Sequence, residues 1–321
     1  MVRLLRRDYP RETAMRPLAA LLLASCLMAP AAIAQAAPAG ITRTADGHPD
    51  LQGVWTSRWL SPVERSAAAS GLVVSKTEAD KLVADILERA AHPAQLDPEL
   101  AYPEGDSLAI VRGEYRSSLV VSPANGKLPF NDTGRAAQRR YIGGLDGPEQ
   151  RMTTERCLGG TGWAPLQVRT ASMLRQIVQT PQNVVIHSEA YSDLRVIGFN
   201  GPQLPSDVKQ PTGESYAHWD GDALVVETHN FDPETSTHGI VTVLSPQATI
   251  TERFELASPD ELVYRYTVSD PAYYSEPWTA EYSFTRSNER IYEYACHEGN
   301  YSMGGMLAGA RADERRTLAA K

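Results

Sequence analysis

Four side chains along the chain are suited to acid/base chemistry on a small molecule: Glu252, His218, Arg195 and Arg253. Glu252 alternates with Ile250 and Phe254, so the three share one face of a predicted strand and the apolar pair draws the carboxylate inward. Burial disfavours the charged carboxylate unless a cation faces it, and such a group can act as a general acid or base. Glu252 is therefore the first catalytic candidate. A structural ion pair with an arginine across the interior is the alternative.

The other three residues would support that chemistry. His218 could serve as the second acid or base, since histidine is the side chain most often used for proton transfer, although a solvated histidine at the rim of the fold fits the same position. Arg195 or Arg253 would hold a developing oxyanion. Arg195 could instead pair with Glu189 across a turn, on an outward polar face.

Aromatic side chains indicate what kind of molecule would bind. Tyrosines on the predicted strands would line a cavity with aromatic walls and a few hydroxyl groups, which suits a small apolar or aromatic molecule. A plain aromatic core is the alternative. The candidate ligand-binding residues are Tyr216, Tyr264, Tyr266, Tyr282, Tyr294 and Trp219. The leading hypothesis is thus a cofactor-independent lyase, hydratase or isomerase, with a non-catalytic small-ligand carrier and an accessory protein of the outer envelope as alternatives.

Several functional classes are disfavoured by motifs and charge. The sequence contains no G-x-S-x-G, P-loop, G-x-G-x-x-G, C-x-x-C or H-E-x-x-H, so neither a nucleotide cofactor nor a metal is expected. Residues 37–321 carry 26 Lys and Arg against 37 Asp and Glu, a net charge of −11. Such a surface repels phosphate backbones, and nucleic-acid binding is not expected.

Alternation with period two predicts the strands that position these residues. They cover 51–58, 176–179, 184–190, 194–199, 215–219, 224–229, 248–256, 262–268, 279–285 and 292–297. The Asp220-Gly221 step predicts a tight hairpin turn. About eight sequential strands with hairpin connections predict a mainly β fold, an up-and-down antiparallel barrel of the lipocalin type.

Helices and irregular segments are expected around this barrel. The capping box Ser75-Lys76-Thr77-Glu78 predicts an N-terminal helix over 76–91. A short helix is expected at Thr133–Tyr141 and a C-terminal helix at Met306–Ala319. The prolines between 93 and 130 favour an irregular segment there. Together with the first helix, this segment forms a long insertion that is expected at about 75–174. Residues 37–321 are expected to form a single domain.

The first 36 residues have the pattern of a signal peptide. Basic residues precede an apolar run of about 16 residues, shorter than the roughly 20 that span a bilayer, and Ala34-Gln35-Ala36 is a small-x-small cleavage site. We expect cleavage after Ala36, export to the periplasm or beyond, and no membrane span. A lipoprotein acylated at Cys26 is the minority alternative.

Two cysteines remain after cleavage. Cys157 and Cys296 would lie in an oxidising compartment, where a disulfide between them is expected. A metal site that includes His297 is the alternative, and it lacks two further ligands at supporting spacing.

Several motifs together resemble a large family of exported bacterial proteins. The matching segments are PDLQGVW at 49–55, ERC at 155–157, QTP at 179–181, HWDGDALVVET at 218–228, ERF at 252–254 and YEYACHEGNY at 292–301. The resemblance covers most of residues 49–311. It implies a secreted, lipocalin-like barrel, and it brings no settled activity. Thr249 stands where many members have a histidine, so any role of that histidine is absent or moved here. Separately, Gly53-Val54-Trp55 resembles the G-x-W signature on the first strand of lipocalin-type barrels, in which the Trp packs under an arginine from the barrel end. A core aromatic is the alternative for Trp55.

Overall fold

The computed structural model describes residues 40–91, 105–143, 147–166, 174–202, 204–205, 207–232 and 243–320. The predicted signal peptide and Cys26 lie outside the described residues. The helices are α1 (Lys76–Ala91), α2 (Asp132–Gly143), α3 (Cys296–Gly299) and α4 (Tyr301–Ala319). The strands are β1 (Gly53–Thr56), β2 (Val73–Val74), β3 (Ala109–Val111), β4 (Glu114–Arg116), β5 (Val120–Ser122), β6 (Arg175–Gln179), β7 (Asn183–Ser188), β8 (Asp193–Gly198), β9 (Glu214–Asp220), β10 (Ala223–His229), β11 (Thr249–Ser258), β12 (Glu261–Ser269) and β13 (Trp278–Ser287).

A closed barrel is formed by β1 together with β6 to β13. It closes because β1 pairs with β6 at one edge and with β13 at the other. β5 adds to β13, and β2, β4 and β3 form a separate small sheet. The predicted mainly β, lipocalin-like barrel is confirmed, with nine strands where about eight were expected.

Nine strands cannot alternate in direction all the way around a closed barrel, so one neighbouring pair must be parallel. That pair is β8 and β9, which meet at a single bridge between Gly198 and Tyr216. β8 ends at Gly198 and β9 begins at Glu214, and because the two strands run parallel their connection is a crossover and not a hairpin. The prediction that hairpins join all the strands is wrong at this junction, which we call the β8–β9 seam.

The last predicted strand, 292–297, is also wrong. Residues 288–295 form no strand, and α3 begins at Cys296. The edge of β13 that such a strand would need is occupied, since Trp55 of β1 pairs with Arg286 and Ser122 of β5 pairs with Thr279. A short strand from the N-terminal part of the chain therefore closes the barrel.

The predicted helices are confirmed. α1 covers the expected residues, and Ser75 Oγ accepts a hydrogen bond from Glu78 N at 3.2 Å, half of a capping box. The Glu78 carboxylate bonds Ser70 instead, with Ser70 N 2.7 Å from Oε1. α2 and α4 match their predictions, with α4 starting five residues early at Tyr301. No helix in the described ranges has the length and hydropathy needed to cross a bilayer.

The first strand packs as its resemblance to lipocalin-type barrels implies. Trp55 is fully buried, and the Arg286 guanidinium lies 4.3 Å from its ring centroid. Gly53 has φ +135°, and a Cβ there would lie 2.3 Å from Arg286 Nη1. Glycine is favoured at this position because other residues rarely adopt its positive φ, and a Cβ would also require the Arg286 guanidinium to move.

Aromatic rings fill much of the barrel interior. Tyr264 lies 4.9 Å from Phe254 and 5.1 Å from Tyr282 between ring centroids, and Tyr282 lies 5.1 Å from Phe284. All four rings are at most 1% exposed. They come from alternate positions on β11, β12 and β13, as the period-two pattern predicts. Glu252 shares this inward face with Phe254.

Candidate functional site

Glu252 lies at the centre of a buried polar cluster. Its side chain has no exposed surface. Oε1 accepts hydrogen bonds from Arg195 Nη1 at 3.0 Å and from the Tyr264 hydroxyl at 2.7 Å, and Oε2 accepts a short one from Arg195 Nη2. Both carboxylate oxygens are thus engaged, which satisfies the requirement that a buried charge be paired and hydrogen-bonded.

Arg195 points into the barrel from β8 and connects three strands. Besides Glu252 on β11, its Nε donates to Ser215 Oγ on β9 at 3.0 Å and its Nη2 donates to Thr228 Oγ1 on β10 at 2.8 Å. The predicted outward position beside Glu189 is wrong because Arg195 occupies the inward register of β8. Glu189 accepts a hydrogen bond from Tyr292 N instead, at 2.9 Å.

Ser215 and Thr228 were missed by sequence reasoning. They are cross-strand partners on β9 and β10, and their hydroxyls lie 2.9 Å apart. A signal was present, since Thr228 alternates with the apolar Val226 and Leu224 on the inward face of β10. A polar residue in an inward register indicates a buried partner.

Three of the predicted tyrosines lie in the interior next to Glu252. Burial raises the pKa of Tyr264 well above its usual value, and the charge of Glu252 adds to the effect. Burial is also the main cause of the raised pKa values of Tyr266 and Tyr282. Phenols with raised pKa values hold their protons at neutral pH, and the hydroxyls of Tyr264 and Tyr282 donate them in hydrogen bonds to Glu252 and to Leu166 O.

A segment of the chain contacts the same tyrosines. Leu166 N donates to the Tyr264 hydroxyl and Leu166 O accepts from the Tyr282 hydroxyl, both at 2.8 Å. Upstream, Asp193 Oδ2 accepts from Gly160 N and Gly162 N at 3.0 Å each. Residues 160–166 are therefore fixed against the barrel, and the hydroxyls of Tyr264 and Tyr282 have partners within the protein.

The remaining predicted site residues lie away from Glu252. His218 is exposed on the outer face of β9, and Arg253 pairs with Asp220 at 2.7 Å on the outer surface. The Tyr216 hydroxyl donates to Glu227 at 2.5 Å, also outside the barrel. Trp219 stacks on His48 at 4.4 Å, and Tyr294 packs against Tyr191 at 4.9 Å between ring centroids. The structure thus brings Glu252, Arg195, Tyr264, Tyr266 and Tyr282 together and separates the other five.

A cleft opens beside Arg195 at the β8–β9 seam. Its volume is about 510 Å³, within the range of small-molecule sites. We call it the seam cleft. It is lined by Asn183, Leu194, Arg195, Val196, Gly198, Asn200, Gly201, Leu204, Gln210, Thr212, Gly213, Glu214 and Ser215. The cleft and the buried cluster share Arg195 and Ser215.

The predicted disulfide between Cys157 and Cys296 is present. It joins the segment before Gly160 to the start of α3. Asn300 reinforces this connection, since its Nδ2 donates to Glu155 O at 2.9 Å. The C-terminal part of the chain is thereby attached to residues 155–157.

The described part of the chain contains no candidate metal site, and comparisons with known proteins find no match. Across the described ranges, His, Cys, Asp and Glu side chains form no group of three that could hold a metal ion. No family model, no curated protein and no solved structure matches the chain.

Proposed function

We propose that this protein binds a small molecule in the seam cleft and works as an exported binding protein. The observation that carries the proposal is the seam itself. Every other junction of the barrel is an antiparallel ladder of at least three residue pairs, whereas β8 and β9 share one bridge, and a cleft of about 510 Å³ lies against them. Clefts of this size that present fixed polar groups are typical of ligand sites, and this one is lined mainly by polar groups, with Leu194, Val196 and Leu204 as its large apolar residues.

Arg195 and Ser215 give this cleft a fixed polar floor. Arg195 is held in one orientation by Glu252, Thr228 and Ser215, and its side chain is only 4% exposed. A group fixed before the ligand arrives loses little conformational freedom on binding, so its hydrogen bonds contribute more to affinity. The buried cluster therefore supports binding by positioning the floor of the cleft.

The engagement of Glu252 favours binding over acid/base catalysis. A general acid or base must come within hydrogen-bond reach of the substrate proton, directly or through one water. Glu252 has no exposed surface, and Arg195 and Tyr264 occupy its two oxygens. His218 and Arg253, the predicted partners in catalysis, lie on the outer face.

A catalytic function is the second candidate because Arg195 touches both the cleft and Glu252. The reaction would then be of the lyase, hydratase or isomerase type, with Glu252 as the acid or base and Arg195 holding the oxyanion.

Export is part of the proposal. It rests on the signal-peptide pattern of residues 1–36 and on the Cys157–Cys296 disulfide, which forms and persists in oxidising compartments. The intact mass of the protein recovered from a bacterial periplasm tests it. We expect the mass of residues 37–321 with one disulfide, and a mass that retains residues 1–36 would contradict export with cleavage at Ala36.

Native mass spectrometry of the purified protein tests ligand binding. We expect a captured small molecule in the wild type and its loss in Val196→Trp, which fills the cleft from a residue that is 58% exposed. Val178→Trp is the matched control, since Val178 is a 40% exposed valine on the outer face of β6, outside the cleft. Equal capture by both variants would contradict the seam cleft as the site.

The same captured molecule separates the two functions. It is incubated with the wild type and with Glu252→Gln. Retention without turnover in both proteins establishes a carrier. Turnover by the wild type that is lost in Glu252→Gln, while the ligand is still retained, establishes acid/base chemistry.

A further inference from the structure

The parallel junction leaves one edge of β8 without a ladder. β8 and β9 meet only at the bridge between Gly198 and Tyr216, which involves the last residue of β8. On its other side β8 pairs with β7 along its whole length, from Asp193 to Gly198. The residues of β8 that precede Gly198 therefore have a neighbouring strand on one side only.

The hydrogen bonds next to β8 show which of its backbone groups face this edge. Phe199 N donates to Gln182 O at 3.2 Å, so Phe199 directs its backbone groups toward β7. Successive residues of an antiparallel strand direct their N–H and C=O groups to opposite sides, and the β7–β8 register is continuous. Leu194, Val196 and Gly198 therefore direct theirs toward the seam. Gly198 forms the bridge, whereas the described residues provide no ladder partner there for Leu194 or Val196.

The same two residues also present apolar side chains at the seam. Leu194 and Val196 are 62% and 58% exposed, and both line the seam cleft. Arg195, which lies between them, faces inward and is bonded to Glu252. Backbone groups without a strand partner thus coincide with exposed aliphatic side chains at alternate positions of β8, and such side chains mark a contact surface.

An extended peptide matches both features. A peptide antiparallel to β8 can exchange two hydrogen bonds with Leu194 and two with Val196, as the residues of a hydrogen-bonded antiparallel pair do. Residues that lie opposite each other have side chains on the same face, so the first and third residues of the peptide would lie beside Val196 and Leu194. The middle residue would lie opposite Arg195.

The direction of such a peptide follows from the topology of the barrel. β8 and β9 are the parallel pair, so a segment antiparallel to β8 is antiparallel to β9 as well. It would continue the alternation of strand directions that breaks at the seam. An unpaired strand edge is a template for another strand, in which main-chain hydrogen bonds provide affinity and alternate side chains provide specificity.

We propose that the ligand of the seam cleft is a short extended peptide that pairs with Leu194 and Val196 of β8 and carries apolar side chains at alternate positions. This inference rests on the proposed binding function and narrows the ligand to one chemical class. The peptide backbone is recognised by β8, and its first and third side chains contact the two aliphatic residues.

N-methylated peptides test backbone recognition in the purified protein. The probe is acetyl-Val-Gly-Val-amide, titrated by isothermal titration calorimetry. An N-methyl group on the third residue removes the N–H that would donate to Leu194 O, and we expect it to weaken binding at least about tenfold. An N-methyl group on the glycine is the matched control, because that N–H faces away from β8, and a smaller effect is expected. Equal weakening by both methyl groups, or no binding of the unmethylated probe, would overturn the proposal.

Two variants at one position test the protein side of the same contact. The Val196 N–H faces the seam, so Val196→Pro removes a donor for the peptide without removing a β7–β8 hydrogen bond. Val196→Ala shortens the side chain and keeps the N–H. We expect the proline variant to bind the probe at least about tenfold more weakly than the alanine variant. Equal binding by the two would overturn the proposal, and the methylated peptides decide the question if the proline variant does not fold.

Val196→Trp distinguishes a wrong ligand class from a wrong site. If native mass spectrometry finds a captured non-peptide molecule that Val196→Trp loses, and the probe does not bind, the seam cleft is a binding site and the peptide class is wrong. If the captured molecule and the probe both bind Val196→Trp as they bind the wild type, the seam cleft is not the site, and the proposed function fails with the inference.

Discussion

Arg195 and Glu252 meet inside the barrel, with Nη1 of the arginine 3.0 Å from Oε1 of the glutamate. They belong to β8 and β11, which are separated in the barrel wall by β9 and β10. The two side chains are 4% and 0% exposed, so the pair bridges the interior out of contact with water. Such a pair is costly to desolvate, and each charge then depends on the other.

Removing one charge of this pair should destabilise the protein strongly. We expect Glu252→Gln to lower the free energy of unfolding by about 3–5 kcal/mol, because it leaves a buried arginine without a counter-charge. The double variant Arg195→Met/Glu252→Gln should lose much less than the sum of the two single losses, since neither charge is then left unpaired. Urea denaturation of all four proteins measures this coupling.

An exposed ion pair supplies the control. Arg253 and Asp220 lie 2.7 Å apart, with side chains 37% and 67% exposed. Asp220→Asn should cost at most about 1 kcal/mol, because solvent screens the pair. A Glu252→Gln loss as small as that of Asp220→Asn would show that Glu252 does not hold a buried charge pair.

The inward position of Glu252 could be predicted from the sequence, and its partner could not. Alternation with Ile250 and Phe254 fixes the face of β11. Arg195 sits on β8, and whether it faces Glu252 depends on how the barrel closes and on the parallel seam. Neither the closure nor the seam can be predicted from the residues that surround Arg195 in the sequence. The expected pair of Arg195 with Glu189 was inferred from the turn between them, so it took only neighbouring strands into account.

The closure of the barrel shows the same limit. Residues 292–297 alternate like a strand, and β1 is only four residues long, so local pattern favours the wrong partner for β13. What decides the pairing is tertiary. Trp55 fills the barrel end under Arg286, an arrangement available to β1 and not to the C-terminal segment. Elements whose bounds depend only on the local sequence, such as α1 with its capping box, were predicted with their correct bounds.

A side chain at Gly53 should disrupt that end of the barrel. Gly53→Ala is expected to lower the free energy of unfolding by about 1–3 kcal/mol through the strained φ, with a further loss because its Cβ would displace Arg286 Nη1. The loss that comes from displacing Arg286 should be absent when Arg286 is already alanine. The double variant should therefore lose less unfolding free energy than the sum of the two single losses. Thermal and urea denaturation of both single variants and the double variant provide the measurement.

Gly305→Ala is the matched control for this substitution. Gly305 lies within α4, and a Cβ there meets nothing within 4 Å. Alanine should be neutral or stabilise by up to about 1 kcal/mol at this position, because glycine is a poor helix former. Should Gly53→Ala behave like Gly305→Ala, the close approach of Arg286 does not constrain β1.

The disulfide should stabilise the whole chain and secure its C-terminal part. Cys157 and Cys296 are 139 residues apart, and the entropic model assigns about 3–5 kcal/mol to closing a loop of this length. Cys157→Ser/Cys296→Ser should lower the unfolding free energy by that order. Limited proteolysis should then cut residues 288–320 faster than the barrel, as fewer contacts hold them.

Asn300→Ala isolates the disulfide from its neighbouring hydrogen bond. This variant keeps both cysteines and loses the Asn300 Nδ2 bond to Glu155 O, together with the N-cap bond that Asn300 Oδ1 accepts from Met303 N at the start of α4. We expect a loss of about 1 kcal/mol and little change in the proteolysis of residues 288–320. Equal proteolysis of the double-serine variant and the wild type would show that the disulfide is not what retains the C-terminal segment.

The Tyr216–Glu227 contact should make stability depend on pH above neutrality. The hydrogen bond to Glu227 is the largest cause that raises the pKa of Tyr216, followed by burial, to about 12 from 10. Between these two values the folded protein holds a proton that the unfolded chain has released, so unfolding becomes easier as pH rises. The stabilisation by Tyr216 is therefore fully present below pH 10 and is lost as pH rises through about 12.

Comparison with Tyr216→Phe measures this effect, because phenylalanine cannot titrate. The difference in unfolding free energy between the wild type and Tyr216→Phe should be constant from pH 8 to about 9.5 and should shrink from pH 10 to 11. Glu227→Gln keeps an acceptor for the hydroxyl without the negative charge, so the decrease should be smaller when Tyr216→Phe is compared in that background. A difference that stays constant up to pH 11 would mean that Glu227 does not hold the Tyr216 proton in the folded protein.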